Sequence, residues 1–270
     1  LDQPWCDGQI LLLSPRRLAA RAAAERMAEL AGEPVGGVIG YATRMDARHG
    51  PQTRVLVMTE GIFRSRILAD PELAGVSAVL FDEVHERSLD SDFGLALAIE
   101  AQGAFRPDLR LVAMSATLNG ERFASLMGQA PVIVSEGRSH PLALRYAGRS
   151  ATRPLDEEMA RVIRQAMAEQ ARGDLLAFLP GVRDIERVAE RLAGSAFAVL
   201  PLHGQLDPAQ QRAALRADGQ GRRKIILATN IAETSLTIDG VGIVVDSGLA
   251  RRARYDVSAG TTHLATERAS

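Results

Sequence analysis

Short apolar runs, each closed by small or polar residues, recur along the chain and alternate with longer stretches of helical periodicity. Gln9 to Leu13 reads as a strand stopped by Ser14-Pro15, and an alanine-rich helix follows from about Arg16 to Ala31, closed by Gly32. Ser14 suits the N-cap of that helix and Pro15 its first position. Val35 to Ala42 alternates weakly around three glycines, and Arg54 to Met58 is the next strand, ending in Thr59, Glu60 and Gly61. A helix runs on through Phe63, Ile67 and Leu68, and Asp70 to Val76 turns the chain into a buried strand. Ser91 to Gln102 is helical, and Arg110 to Met114 is a strand ending in Ser115, Ala116 and Thr117.

The same rhythm restarts after the glycine- and proline-bearing stretch Ser135 to Pro154. A helix from about Asp156 to Gln170 precedes the strand Asp174 to Leu179, and a charged helix to Leu192 precedes the strand Ala196 to Leu200. His203 and Gly204 come next, then Asp207-Pro208, a strong helix start. Lys224 to Ala228 is a strand ending in Thr229 and Asn230, Ile231 to Thr234 is a short helical turn, and Gly242 to Asp246 is another strand. Ser247 to Leu264 predicts a projecting hairpin. Strand, polar strand end and helix in repetition predict parallel βα units in an α/β protein, with helices on both faces of each sheet. The length of 270 residues fits two domains better than one, and the boundary is placed near Gly137, giving domains 1–137 and 138–270.

Composition changes this picture little. Apolar residues make up 46%, and no apolar run reaches the roughly 18 residues of a membrane span. Cys6 is the only cysteine, which excludes an internal disulfide and a cysteine-based metal site and makes a cytoplasmic location the expectation. No oligomer is indicated. A net charge of −1 does not advertise a nucleic-acid binder, although Arg16, Arg17, Arg251, Arg252 and Arg254 form local basic groups. Lys224 is the only lysine, and it follows Arg222 and Arg223, so the phosphate loop G-x-x-x-x-G-K-[ST] is absent.

The candidate chemistry sits at the strand ends. VLFDEVHERSLD, Val79 to Asp90, is a buried strand delivering two adjacent carboxylates to the carboxyl edge of a sheet, where open α/β sheets bind ligands. Asp82 can hold Mg²⁺, directly or through its water. Glu83 can orient or deprotonate an attacking water, and His85 can report the state of the site to a neighbouring segment. The bland alternative is a strand running into a solvated charged turn. Arg16 and Arg17 lie near a helix start whose free amides attract anions, although arginines there oppose the helix dipole. Thr59 can cap its helix or meet a phosphate.

Taken in order, PRRLAAR, TEG, DEVHERSLD, SAT, the HG after Leu202 and LATNIAETSLTIDGVGIVVDSG resemble superfamily 2 helicases of the DEAH/RHA group, and among these the bacterial HrpB-type enzymes. The resemblance covers almost the entire chain. It implies two RecA-like domains with ATP and Mg²⁺ between them and single-stranded nucleic acid across their top, with RNA favoured over DNA but DNA left open. It assigns Asp82 to Mg²⁺, Glu83 to water activation, His85 to coupling, and Ser115 and Thr117 to linkage. Arg16, Arg17, Thr59 and Glu60 match backbone-binding segments, as do Thr229, Asn230, Glu233, Thr234 and Ser235 in the second half, with Asp239 and Gly240 closing the nucleotide side. The hairpin resembles one implicated in strand separation.

Three departures stand out. GYATRMD matches a segment usually richer in basic residues, so only Arg44 is carried over as a contact. DEVH replaces DEAH, with Val84 small enough to leave both acids and His85 in place. Neither the phosphate loop nor a terminal arginine motif is present. The resemblance therefore implies a first domain incomplete at its N-terminus and a second incomplete at its C-terminus, with ATP hydrolysis expected of a longer parent and not of these 270 residues alone. A non-catalytic nucleic-acid-binding module and a phosphate-loop motor with another substrate are the alternatives.

Overall fold

In this computed structural model every residue is described except 117–119, 136, 138, 139, 149, 151, 234–237 and 270. The chain divides into two compact units, Leu1–Ser139 and His140–Ser270.

The first unit contains β1 (Gln9–Ser14), α1 (Arg17–Ala31), β2 (Ile39–Ala42), β3 (Ala47–Arg48), β4 (Val55–Thr59), α2 (Glu60–Ala69), β5 (Val76–Phe81), α3 (Leu89–Ala104), β6 (Arg110–Ala113) and α4 (Gly120–Leu126). Its strands form one sheet in the order β3-β2-β4-β1-β5-β6. All neighbours are parallel except the short β3, which folds back on β2. Successive residues of a strand face opposite sides, and both sides are apolar here. Leu11, Leu13, Met58 and Phe81 pack with Phe63 and Ile67 of α2 and Leu95 and Ala98 of α3. Val57 and Tyr41 pack on the other side against the alanines of α1, Ala20, Ala24 and Ala28, whose small side chains let the helix lie close. Phe63 meets Phe81 edge to face at 5.6 Å. Gly94 lets α3 lie close to α2, since a Cβ there would stand 3.1 Å from the Phe63 ring.

The second unit contains α5 (Leu155–Glu169), β7 (Asp174–Phe178), α6 (Val182–Arg191), β8 (Ala198–Leu202), α7 (Pro208–Leu215), β9 (Lys224–Ala228), β10 (Val241–Asp246), and the strands β11 (Leu249–Asp256) and β12 (Thr261–Arg268). β10-β7-β9-β8 is an all-parallel sheet, and β11 and β12 pair with each other as an antiparallel hairpin. Ile163 and Met167 of α5 and Ile185 and Val188 of α6 bury Leu175, Ala177, Ile225 and Leu227. Asp207 caps α7 as its sequence predicts, accepting from the amides of Ala209 and Gln210 at 2.9 and 3.0 Å.

Two sequence expectations need correction. Ser14 does not cap α1: it remains in β1, paired with Thr59 and buried, and Arg16 occupies the cap position without a side-chain capping bond. Strand pairing thus carries the chain past the Ser-Pro signal. The strand expected over Ala196 to Leu200 lies at Ala198–Leu202 and includes Pro201. β8 is an edge strand paired only with β9, so the missing proline N–H is tolerated.

Candidate functional site

Because the strands are parallel, their carboxyl ends gather along one edge of each sheet. In the first unit the register pairs Ser14 with Thr59, Leu13 with Phe81 and Phe81 with Ala113. Arg16 and Arg17 at the start of α1, Thr59 and Glu60 at the start of α2, Asp82 to His85 after β5 and Ser115 after β6 therefore share this edge. Arg44 joins them on the exposed turn from β2 to β3, where Thr43 holds the Asp46 carbonyl through both its amide and its hydroxyl, each at 2.8 Å.

The turn after β5 is tightly specified. The Asp82 amide donates to Leu13 O at 3.0 Å, which ties the first acid to the central strand β1. Asp82 Oδ1 accepts the Glu83 amide at 3.0 Å. Glu83 then adopts a left-handed backbone, φ 53° and ψ 37°, and opens a single 3-10 turn over Val84–Glu86. Arg87 closes that turn at φ 53° and ψ 61°, also left-handed. Non-glycine residues rarely adopt this conformation, and two of them bracket the turn. Val84 is its buried anchor, and its amide donates to Met114 O at 3.1 Å, immediately before Ser115. The valine of DEVH thus packs inward and leaves Asp82, Glu83 and His85 half-buried at the edge.

The electrostatics of the turn favour a cationic partner. Burial pushes the Asp82 carboxyl above the ordinary range, against the opposing effect of its bond from the Glu83 amide. Burial also raises Glu83, and the neighbouring Asp82 charge raises it further. His85 Nδ1 lies 3.3 Å from Glu83 Oε2 but without hydrogen-bond geometry, and it is a buried nitrogen with no hydrogen-bond partner among the described residues. Glu86 faces the start of α1, its Oε2 3.7 Å from Arg16 Nη2, which offsets the unfavourable placement of that arginine at a helix N-terminus. Arg17 is exposed.

Thr59 stands at the N-cap of α2 without a side-chain capping bond. Glu60 turns inward. Its carboxylate is buried, accepts a hydrogen bond from the Ser88 hydroxyl, and is raised by that burial while hydrogen bonds from Ser88 and Ser91 oppose the rise. Ser88 in turn caps α3, accepting the Ser91 amide at 2.9 Å. Ser88 escaped the sequence reading; its signal was a serine followed by Asp90 and Asp92, a capped and acid-rich first turn. Thr117 lies outside the described residues.

In the second unit the register aligns Phe178, Ala228, Leu202 and Asp246 at the carboxyl edge. His203, Thr229, Asn230 and Glu233 follow directly from it, with the Thr229 amide donating to Leu202 O at 3.2 Å. His203 is buried, which lowers its basicity against the opposing charge of Glu186. Arg251 at the hairpin base lies against Gly181, where an added Cβ would stand 3.3 Å from a guanidinium nitrogen. Thr234 and Ser235 lie outside the described residues.

Asp239 and Gly240 are not with this group. They precede β10 at the opposite, amino edge of the sheet, where the Asp174 amide donates to Gly240 O at 2.7 Å. Beside them the ammonium of Lys224 is fully buried, donating to Ala214 O at 3.1 Å and Arg216 O at 2.7 Å and lying 3.5 Å from Asp174 Oδ2. The lone lysine is therefore a structural staple in this fold.

No group of three or more potential metal ligands occurs among the described residues. Mg²⁺ is usually held by one or two carboxylates together with water and phosphate oxygens instead of a protein cage. Asp82 and Glu83, both raised by burial, have the right donor chemistry for such a hard cation.

Comparison with known proteins identifies the family. Residues 2–126 match the DEAD/DEAH box helicase family and residues 157–263 the helicase conserved C-terminal domain. The chain is 48% identical over its full length to the ATP-dependent RNA helicase HrpB of Escherichia coli strain K12, covering 34% of that protein. Against the ATP-dependent RNA helicase HrpA of the same strain it is 37% identical, with 89% of the chain and 19% of the relative covered. It thus spans about a third or less of the length of these curated relatives. A crystal structure of the Escherichia coli DEAH/RHA helicase HrpB superposes with a TM-score of 0.91 at 47% identity, covering the whole chain and 35% of that structure. A second, of the Escherichia coli DExH-box NTPase HrpB, gives a TM-score of 0.79 at 48% identity over 99% of the chain and 33% of that structure. The two units are accordingly RecA-like α/β domains, and the chain belongs to the DEAH/RHA group of superfamily 2 helicases.

Proposed function

We propose that the protein to which this chain belongs is an ATP-dependent RNA helicase, in which nucleic-acid-stimulated ATP hydrolysis drives translocation or remodelling on single-stranded RNA. The observation that carries this reading is the turn at Asp82 to Arg87. Two left-handed non-glycine residues, two carboxylates raised by burial and a buried imidazole nitrogen without a hydrogen bond are concentrated in one 3-10 turn. Each opposes stability, and such concentrations mark sites retained for chemistry.

In this reading Asp82 would hold Mg²⁺ together with the phosphates, and the ion would supply charge neutralisation at the transferring group. Glu83 orients the attacking water and takes its proton, and the burial that raises its carboxyl also makes it a better base. His85, within 3.3 Å of Glu83, couples hydrolysis to a neighbouring segment, and Ser115 and Thr117 provide the linkage. Arg16, Arg17, Arg44 and Thr59 face the RNA backbone from the first domain, and Thr229, Asn230, Glu233, Thr234 and Ser235 from the second. Glu60 acts from beneath this surface. Asp239 and Gly240 are assigned to the nucleotide side on the family resemblance alone. The domain boundary is kept at 137/138. A cytoplasmic location goes with this reading.

ATP turnover by the full-length protein, measured with and without single-stranded RNA and single-stranded DNA, tests the proposal. Stimulation by RNA above DNA, lost in Glu83→Gln, is expected. RNA binding without ATP turnover would instead identify a non-catalytic binding module. Turnover indifferent to both nucleic acids would identify a motor with another substrate.

A further inference from the structure

The TEG segment and the DEVH turn are separated by the central strand β1 in the sheet, yet they are joined directly through side chains. Glu60, the first residue of α2, reaches the Ser88 hydroxyl, and Ser88 is the residue immediately after the strained Arg87. One turn further along α2, Arg64 pairs with Asp90 of α3, and a Cβ on Gly61 would stand 3.3 Å from Asp90 Oδ2. The same surface of α2 therefore grips the start of α3 from 88 to 90. On its other flank the turn is held by the Val84 amide on Met114 O. Asp82 is tied to Leu13 O, Glu86 faces Arg16 and Arg87 pairs with Asp92, and the Glu60–Ser88 bond is the anchor that joins the turn to α2.

We infer that the Glu60–Ser88 hydrogen bond couples RNA binding at Thr59 to the position of the catalytic turn, with Ser88 as a positioning residue. The inference rests on the helicase reading given above. A buried carboxylate has few alternative partners, so a shift of Thr59 at the N-cap of α2 is transmitted to Ser88 and not absorbed by solvent. Ser88 in turn fixes where α3 begins and therefore whether Arg87, and with it the 3-10 turn bearing Glu83 and His85, retains its left-handed closure. A turn bracketed by two unfavourable backbone conformations is the kind of element that two nearby sites can bias.

The test uses the full-length protein, with ATP turnover measured with and without saturating single-stranded RNA and RNA affinity measured by fluorescence anisotropy. Ser88→Asp keeps an oxygen to cap α3 but replaces the neutral hydroxyl donor with a second acid facing Glu60, whereas Ser88→Thr keeps both functions. Ser88→Asp should hold its unstimulated rate and RNA affinity within about twofold while its stimulation by RNA falls about tenfold, and Ser88→Thr should match the wild type. Wild-type stimulation in Ser88→Asp overturns the inference. So does an equal loss of stimulated and unstimulated rates, which marks a purely structural role. If Ser88→Asp fails to fold, Arg64→Met removes the second strap at a half-buried position and keeps the aliphatic stem. Weakened stimulation there supports the coupling, and unchanged stimulation overturns it. A wild-type protein that RNA does not stimulate at all would instead refute the helicase reading itself.

Discussion

Glu83 should be a residue that the fold would be better off without. Its left-handed backbone costs about 1–2 kcal/mol for an L-residue with a side chain, and asparagine tolerates this region better than glutamate. Its carboxyl is raised by burial and by Asp82, so the ionised form is disfavoured in the fold. Glu83→Gln removes the charge and keeps the strain, for an expected gain of about 0.5 kcal/mol at neutral pH. Glu83→Asn also relieves part of the strain, for a total of about 1–1.5 kcal/mol. At about 3 °C per kcal/mol for a domain of this size, the melting temperature should rise roughly 1–2 °C and 3–5 °C respectively. Trp5, the only tryptophan, lies in the first unit, so its fluorescence follows the relevant transition. The pH dependence has a fixed sign. The folded carboxyl binds a proton more tightly than the unfolded one, so the penalty is full above its folded value and shrinks as pH falls through it. The penalty is gone below the unfolded value of about 4.3, and the advantage of glutamine should disappear there with it. Lower melting temperatures for both variants at pH 7, or an asparagine variant no more stable than the glutamine one, would refute the reasoning.

Lys224→Met keeps the aliphatic stem but leaves two carbonyls at the end of α7 and the Asp174 carboxylate without their buried ammonium, and should destabilise the second unit by about 3 kcal/mol, read by urea titration with hydrogen exchange in β7 and β9. Gly240→Ala should cost about 1–2 kcal/mol in the same assay, because φ is +87° and the new methyl would stand 3.2 Å from Asp174 Oδ2. Arg17→Ala and Arg44→Ala should each weaken single-stranded RNA binding several-fold and lower the slope of log affinity against log salt by about 0.7, because both are exposed at the carboxyl edge.

The parallel sheets were legible because strands buried on both faces are continuous apolar runs, as in Gln9 to Leu13 and Lys224 to Ala228, and each ended in the residues that mattered. Asp82, Thr59 and Thr229 could be placed at strand ends without coordinates. What escaped had no local signal or a misleading one. β3 is two exposed residues with no hydrophobic pattern. Ser14-Pro15 carries a good capping signature that loses to five residues of pairing with β4. Pro201 looked like a strand terminator until its edge position was known. The inward turn of Glu60 toward Ser88 depends on the packing of α2 on α3, and nothing in TEG distinguishes a buried glutamate from a surface one.

The position of Asp239 and Gly240 shows how far a motif and a site can diverge. In sequence they close one continuous block with Thr229 and Asn230, whose beginning the resemblance assigns to nucleic acid and whose end to the nucleotide side. Within this domain β9 ends at the carboxyl edge and β10 begins at the amino edge, so the two ends of the block lie at opposite edges of the sheet. What the block shares is therefore mechanical. Thr229 is hydrogen-bonded to the end of β8, and Gly240 is held by Asp174, which also binds the Lys224 amide and faces its ammonium. Both ends of the block are thus fixed to the sheet.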